Sequence, residues 1–240
     1  MAIVSFWSEG NKEVGKTTSI AAIATSMAIN NNYKMLIFDT SYNDSSLKDC
    51  FIVEQKKDIR NILGAQNKTD LETGIRGVSK AILSNKTSPE IITNYTKTIF
   101  KNRLEILTGN EVVYEEYMKQ RNTFSEIAKM ANKFYDITFI DLAEVKNDRV
   151  EREIIEMSNL IIVNIGQTPK AFNNFMDSKK NGIFRDKRNL ILLIGRADLD
   201  SKYNAKNLAR LVGEKDSYAI PYATRIIWIS KRRKYCRIFY

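Results

Sequence analysis

Residues suited to binding phosphate stand together near the start of the chain: Gly10, Asn11, Lys12, Glu13, Val14, Gly15, Lys16 and Thr17, with Thr18 next. They fit the pattern G-x-x-x-x-G-K-[ST], whose glycines let successive backbone N–H groups turn toward one anion. An apolar segment before them and a segment rich in Ala and Ile after them predict a strand and then a helix, whose positive N-terminus would face the same anion. A glycine-containing turn with an incidental lysine is the alternative. The flanking strand and helix favour the phosphate loop.

The polar residues at the end of this loop each suit a separate task. Lys16 would place its ammonium on the β- and γ-phosphates, Thr17 would ligate Mg²⁺, and Thr18 would reach the α-phosphate. A carboxylate at the end of another strand should help to hold the metal, and Asp141 follows such an apolar run. Taken alone, Asp141 would more simply cap a turn. Asp39 also follows an apolar run, where it could assist catalysis by orienting the metal's waters or a switch loop.

The composition excludes several kinds of site. The chain of 240 residues has no histidine, which excludes His-based triads, His general bases and His-ligated metals. Cys50 and Cys236 stand far apart, which excludes a cysteine zinc site and favours reduced thiols. The net charge of +10 favours nucleic acid or an anionic membrane as a neighbour. With no secretory signal and no apolar stretch that could span a membrane, we expect a cytoplasmic protein.

Short apolar runs alternate with longer helical segments along the chain. The runs predict strands, and the segments 17–29 and 124–134 predict helices, with further helical pieces between 45 and 90. Tyr114, Tyr117 and Met118 have helical spacing, which predicts a buried stripe or an oligomer contact. The predicted strands are residues 2–7, 35–38, 104–107, 137–140, 160–163, 190–194 and 218–220.

These strands are nearly continuous apolar runs, which is typical of a parallel sheet covered on both faces. The predicted fold class is therefore α/β: a doubly wound, mostly parallel sheet with helices on both faces. We expect a single P-loop domain over residues 1–240, with a short basic C-terminal tail. Ligands of such sheets bind at the carboxyl ends of the strands, so the residues just after each strand are the functional candidates.

Several segments together resemble the ParA/MinD superfamily of deviant Walker A P-loop ATPases. They are SEGNKEVGKTTSIAAIATSMA, MLIFDTS, YDITFIDLAE and IPYATRI. The resemblance implies a protein that binds ATP and Mg²⁺, dimerises face to face around two ATP molecules, and binds DNA or membrane in the ATP state. It also implies adenine contacts at late strand ends, where Arg196, Pro221 and Tyr222 stand. The stretch between residues 58 and 82 resembles the pilus-localising CpaE/TadZ branch as much as the ParA partition branch.

Two positions depart from the pattern of that family. Asn11 stands where the family has a signature lysine that reaches the partner's nucleotide, and Lys12 would replace that lysine only in a rearranged loop. Ser41 stands where the family has an aspartate that aligns the attacking water, and Asp44 is a candidate substitute. Because serine is a poor base, we expect secure nucleotide binding with slow or negligible hydrolysis.

Residues 230–240 are strongly basic with interleaved aromatic side chains. One hypothesis is a sequence-independent, salt-sensitive contact with the DNA backbone. The alternatives are an anchor on anionic lipid, a solvated end, or a tail that docks on a neighbouring subunit. A second basic stretch at 179–188 strengthens the DNA hypothesis, and no helix-turn-helix is recognisable. The DNA-binding candidates are Lys231, Arg232, Arg233, Lys234 and Arg237.

Three functions are compatible with these residues. The first is a ParA-like protein that assembles with ATP into a dimer or filament, binds DNA without sequence preference, and acts in plasmid or chromosome partition. It would associate with the nucleoid and with a centromere-binding adaptor protein, and not with membrane. The second is a CpaE/TadZ-like scaffold that localises a pilus or secretion machine with weak or no ATP hydrolysis. The third, a P-loop kinase or synthase, needs a general base for which the chain offers no obvious residue.

Overall fold

The structure is a computed structural model that describes residues 1–8, 14–52, 73–85, 88–109, 111–143, 148–184, 189–198, 201–213 and 216–221. The strands of these residues form one sheet in the order β3-β4-β2-β5-β1-β6-β7-β8, in which β3 is antiparallel to β4 and all other neighbours are parallel. The strands are β1 (Ala2–Ser8), β2 (Met35–Asp39), β3 (Lys97–Phe100), β4 (Leu104–Leu107), β5 (Ile137–Asp141), β6 (Leu160–Ile165), β7 (Leu190–Ala197) and β8 (Ser217–Pro221).

Helices connect the parallel strands. They are α1 (Lys16–Asn30), α2 (Ser46–Phe51), α3 (Gly74–Leu83), α4 (Tyr114–Arg121), α5 (Phe124–Phe134), α6 (Arg149–Met157), α7 (Pro169–Lys180) and α8 (Ala205–Val212), with a 3₁₀ helix at Pro89–Asn94. Three of them begin at polar N-caps that accept a backbone N–H of the first turn, as expected of such side chains. These caps are Asp148 before α6, Thr168 before α7 and Asn204 before α8.

The sheet is buried on both faces. Successive side chains of its central strands point to opposite faces, and apolar residues occur on both. In β2, Met35 and Ile37 belong to the buried apolar cluster that includes α1 and α2, whereas Leu36 and Phe38 belong to the cluster on the other face, which includes residues of α3 to α8. This arrangement confirms the predicted α/β fold class and all seven predicted strands. The stripe predicted in α4 is only partly buried: Tyr117 is buried, whereas Tyr114 is 57% exposed at the first position of the helix.

The strand order places other strand ends on both sides of the carboxyl end of β1. The carboxyl end of β1 leads to α1, with β5 and β2 on one side of β1 and β6 and β7 on the other. Strand-end residues from both sides can therefore reach the start of α1. Among the described residues, the structure contains no helix with the length and apolar character required to cross a membrane.

Candidate functional site

The start of α1 has the features of an anion site. Gly15 precedes the helix with φ of 78°, a left-handed conformation that glycine adopts without strain, and it has no side chain to cap the helix. The first turn of α1 contains no acidic residue that would neutralise its positive end. Ser19 holds the turn in place, because its N–H and Oγ both donate to the Gly15 carbonyl, at 2.9 and 2.8 Å. The helix therefore presents backbone N–H groups to an anion.

Two of the predicted site residues form an ion pair at this point. The Lys16 Nζ lies 2.8 Å from Asp141 Oδ1, and it also donates to the carbonyl of Leu142. The Asp141 side chain is 2% exposed and that of Lys16 14%, so both charges are largely removed from water. A buried pair of this kind recovers the cost of desolvation only with good geometry and further hydrogen bonds. The geometry holds the ammonium at the carboxyl end of β5.

Asp39 adds a second carboxylate beside the first. It is the register partner of Asp141 across β2 and β5 and is 3% exposed. Burial, and then the negative charge of Asp141, raise the pKa of Asp39 to about 8, although the N–H of Ser41 donates to its Oδ1 at 2.9 Å. Near neutral pH the Lys16 ammonium is thus paired with one carboxylate while the other keeps a proton. A second positive charge would let both carboxylates ionise.

The oxygen donors at this site suit Mg²⁺. Thr17 stands half-buried in the first turn of α1 and Asp141 lies at the end of β5, so a hydroxyl and a carboxylate are available. Within the described ranges, no group of three or more His, Cys, Asp or Glu side chains could hold a metal ion by itself. Mg²⁺ is commonly bound through one or two carboxylates together with substrate phosphates and waters. The residues present fit a cation that arrives with a phosphorylated ligand.

On the other side of α1, the end of β7 lies directly against the phosphate loop. A Cβ on Gly195 would come within 1.9 Å of the Val14 carbonyl oxygen, so only glycine fits there. Arg196 follows with φ of 55° and is exposed, and its Cγ lies near Gly15. Pro221 is exposed at the end of β8, opposite Ala197. The structure therefore brings Arg196 to the loop, whereas Pro221 lies one strand further out.

Two positions that the sequence analysis missed also link strand ends. Thr40 donates from its N–H and its Oγ1 to the Asp141 carbonyl, at 3.1 and 2.7 Å, and its Oγ1 accepts the Ala143 N–H at 2.8 Å. Gln167, just after β6, binds backbone groups of Asp198 and Tyr203 beyond β7. Both lie within two residues of a strand end, so the rule that strand ends carry function could have found them.

A chain of buried polar groups runs from Thr40 into α4. The Tyr117 hydroxyl donates to the Thr40 carbonyl at 2.9 Å and accepts from Arg121 Nη1 at 2.8 Å. Burial raises the pKa of Tyr117. Arg121, 2% exposed, also donates from Nε and Nη2 to Asp148, with 3.0 Å for the Nε bond. No sequence motif predicts these contacts, because Thr40, Tyr117 and Asp148 are far apart in sequence.

The same chain continues behind β1. Asp148 accepts the N–H of Glu151 at 3.0 Å, and Glu151 Oε1 accepts from Trp7 Nε1 at 2.7 Å. Burial raises the pKa of Glu151 to about 7, although the Trp7 bond and the charge of Arg121 oppose the shift. The carboxyl ends of β2 and β5 are therefore joined to α4, α6 and β1 by buried hydrogen bonds.

Ten of the predicted site residues lie outside the residues that the structure describes. They are Gly10, Asn11, Lys12 and Glu13 of the phosphate loop, Tyr222, and the basic candidates Lys231, Arg232, Arg233, Lys234 and Arg237. Arg185, Lys187 and Arg188 of the second basic stretch lie outside them as well. Thr18 is described and is exposed in the first turn of α1.

Comparison of the fold with solved structures gives matches over almost the whole chain. A ParA family ATPase from Chlorobium tepidum TLS matches with a TM-score of 0.71 and 16% identity, over 95% of this chain and 88% of that one. The septum site-determining protein MinD from Pyrococcus horikoshii OT3, complexed with Mg-ADP, matches with a TM-score of 0.67 and 17% identity, over 98% and 87%. A plasmid partition protein from Borrelia burgdorferi matches with a TM-score of 0.60 and 17% identity, over 97% and 95%.

The sequence itself gives no comparable match. No protein-family model matches the chain, and no curated protein sequence matches it. The chain nevertheless has the fold of the ParA and MinD ATPases, as the resemblance of its motifs predicted.

Proposed function

We propose that this chain is a nucleotide-binding protein of the ParA/MinD type that takes ATP with Mg²⁺ at the start of α1. The observation that carries the proposal is the ion pair of Lys16 with Asp141, held at the N-terminus of a helix that follows the first strand of a parallel sheet. That geometry gives a triphosphate a cationic side chain, backbone N–H groups and a nearby carboxylate for its metal.

Each residue has a defined part in this proposal. Lys16 leaves Asp141 and contacts the terminal phosphates, the Thr17 hydroxyl and Asp141 hold the metal, and Thr18 faces the α-phosphate. Asp39, paired in register with Asp141, loses its proton when the cation supplies the missing positive charge. Mg²⁺, when bound, neutralises charge on the phosphates. Gly10 to Glu13 would complete the loop, and Arg196, Pro221 and Tyr222 would lie toward the adenine.

The proposed cellular role is partition of plasmid or chromosomal DNA. ATP would favour a dimer or a filament, and the assembled form would contact the DNA backbone through many weak phosphate contacts at once. Exposed cations on α7 and α8 support this proposal, because Lys170, Lys180, Lys206 and Arg210 all face solvent in a protein of net charge +10. The basic candidates Lys231 to Lys234 and Arg237 would add to them, and a centromere-binding adaptor would be the protein partner.

A localisation scaffold with weak or no ATP hydrolysis is the second candidate function. The specific observation that favours it is the environment of Asp39, whose neighbour Ser41 donates its N–H to the carboxylate and supplies no base of its own. Asp44, the candidate substitute, is exposed and accepts the N–H of Ser46 at the start of α2. In this function the nucleotide controls assembly and the partner is a pilus or secretion component.

Sedimentation and DNA retention distinguish the proposed role from its alternatives. Purified protein is centrifuged with and without Mg-ATP, and its retention on random-sequence duplex DNA is measured at low and high salt. The partition role predicts ATP-dependent assembly together with ATP-dependent, salt-sensitive retention. Assembly without retention favours the scaffold, and an unchanged protein in both assays contradicts both roles.

A further inference from the structure

The position of the ion pair fixes the direction in which a bound nucleotide must lie, and this inference rests on the proposed function. Lys16 contacts Asp141 at the end of β5, on one side of β1. The lysine of a phosphate loop contacts the β- and γ-phosphates, so the terminal phosphate lies on the β5 side. The α-phosphate and the nucleoside must then extend toward the opposite side, where β6 and β7 end.

Gln167 joins the segments that follow β6 and β7 on that side. Its Nε2 donates to the carbonyls of Asp198, at 3.0 Å, and Tyr203, at 3.1 Å. Its Oε1 accepts the N–H of Asp198 at 2.7 Å. One side-chain amide therefore makes three hydrogen bonds to backbone that lies 31 and 36 positions further along the chain.

The end of β7, which leads into the backbone that Gln167 binds, lies against the phosphate loop. Gly195 approaches Val14 too closely for any side chain, and Arg196 takes a positive φ directly before Ala197 and Asp198. The β7–β8 register shifts between Ile194 and Ala197, so the pairing of β7 is irregular at this point. Tyr203 packs partly against the core. Gln167 thus ties Asp198 and Tyr203 to the segment that follows β6.

We propose that Gln167 is a positioning residue for the nucleoside of bound ATP. It holds the backbone at Asp198 and at Tyr203 in the position from which this side of the site would contact the nucleoside, and it does not itself contact the phosphates. Gln167 is half-buried and Asp198 is exposed, so water can replace the lost bonds and folding should survive substitution. The cost then falls on binding, because the ligand must order a segment that is no longer held.

Inorganic triphosphate separates this role from a general effect on the phosphate site, because it has phosphates and no nucleoside. Binding of Mg-ATP and of Mg-triphosphate is measured by calorimetry for the wild type and for Gln167→Ala. We expect Gln167→Ala to weaken Mg-ATP by about tenfold and to leave Mg-triphosphate within about twofold. Gln167→Glu keeps the acceptor for the Asp198 N–H and loses the donors. Its affinity for Mg-ATP should therefore lie between that of the wild type and that of Gln167→Ala.

Asn189 provides a matched control at the opposite, amino ends of the same two strands. Its Nδ2 donates to the Asn159 carbonyl at 3.1 Å, so it links the segment before β7 to the segment before β6. Asn189→Ala should leave the preference for ATP over triphosphate unchanged.

Three results would overturn the inference. If Gln167→Ala weakens both ligands equally, the residue supports the phosphate site alone. If it weakens neither, or if the wild type binds triphosphate as tightly as ATP, the held segment does not contact the nucleoside, while the phosphate site stands. A wild type that binds neither ligand contradicts the proposed function itself, and with it this inference.

Discussion

Adjacent buried carboxylates are the residue-scale feature on which the site depends. Asp39 and Asp141 are register partners, and one lysine contacts the pair at Asp141. Because burial and then the charge of Asp141 raise the pKa of Asp39 to about 8, this carboxyl keeps its proton near neutral pH. Under the proposed function, a phosphate-bound cation would relieve the penalty on its ionised form.

The protonation of Glu151 makes the free energy of unfolding depend on pH. Its folded pKa of about 7 lies above its ordinary value of 4.5, so the folded state binds the proton more tightly. Stability from this group is complete below about pH 4.5 and is lost as the pH rises through about 7. Glu151→Gln keeps the acceptor for Trp7, so we expect it to be more stable than the wild type at about pH 8, by up to about 3 kcal/mol.

Urea unfolding between about pH 5 and pH 8 measures this difference. Glu153→Gln on the same helix is the control, because hydrogen bonds from Ser125 and Arg149 lower the pKa of Glu153 and keep it ionised over this range. Equal slopes of stability against pH in the wild type and Glu151→Gln would contradict the account of Glu151.

Gly195→Ala tests the close approach of β7 to the phosphate loop. The added Cβ would overlap the Val14 carbonyl oxygen, so backbone must shift. We expect a loss of about 1–3 kcal/mol in the free energy of unfolding, together with weakened nucleotide binding. Gly166→Ala is the matched control, because its Cβ would make ordinary contacts at 3.6 and 3.7 Å. Equal behaviour of the two variants would show that the loop and β7 are not in close contact.

At the scale of elements, the sequence predicted what local apolar runs determine. The strands that form β1, β2 and β5 to β7 are buried on both faces and read as continuous apolar segments, and helices 17–29 and 124–134 were predicted within one residue of α1 and α5. Strand β3 was missed because its four residues KTIF are half-exposed at the sheet edge and lack such a run. Its antiparallel pairing depends on β4, which a local pattern does not encode.

The site shows the same division between local and long-range information. Lys16, Thr17 and Asp141 were predicted because a loop motif and a strand end are local signals. Arg121 and Gln167 were not, since Asp148 lies 27 positions from Arg121 and the backbone partners of Gln167 lie 31 or more positions away. Their importance follows only from the packing of α4 and α6, and of the segments after β6 and β7.

Arg121 holds α4 to the start of α6 through a buried pair with Asp148. Arg121→Leu would leave the Asp148 carboxylate without its cation and Tyr117 without a donor. We expect a loss of about 3 kcal/mol or more in the free energy of unfolding, as for other buried pairs broken on one side. Adding Asp148→Asn, which keeps the cap of α6, should restore part of that loss. A double-mutant cycle in urea measures the coupling, and additive losses would contradict a direct pair.

At the scale of the whole molecule, the cations of α7 and α8 differ in whether they bond within the protein or face solvent. Lys179 donates to the Val212 carbonyl at 3.2 Å and so ties α7 to α8, whereas Lys206 and Arg210 on α8 are exposed. If these cations contact DNA phosphates, Lys206→Glu with Arg210→Glu should weaken retention at about 50 mM salt, and retention should vanish by about 200 mM. Lys129→Glu with Lys133→Glu on α5 is the control, because both lysines are exposed and the net charge changes by the same amount.

Filter retention of random-sequence duplex DNA in the presence of Mg-ATP measures this effect. Equal losses for the α8 variant and the α5 control would show that net charge alone governs retention, and that α8 has no special part in it. Retention that does not change with salt would contradict a phosphate-backbone contact altogether.

Calorimetric titration of Mg-ATP into the wild type and into Lys16→Ala tests the central claim most directly. Lys34→Ala is the control, because Lys34 lies over the Phe134 ring, near the start of β2 and away from the site. We predict saturable binding by the wild type and Lys34→Ala, and a loss of about a hundredfold or more in affinity for a folded Lys16→Ala. No heat of binding in the wild type, or unchanged affinity in Lys16→Ala, would contradict the account.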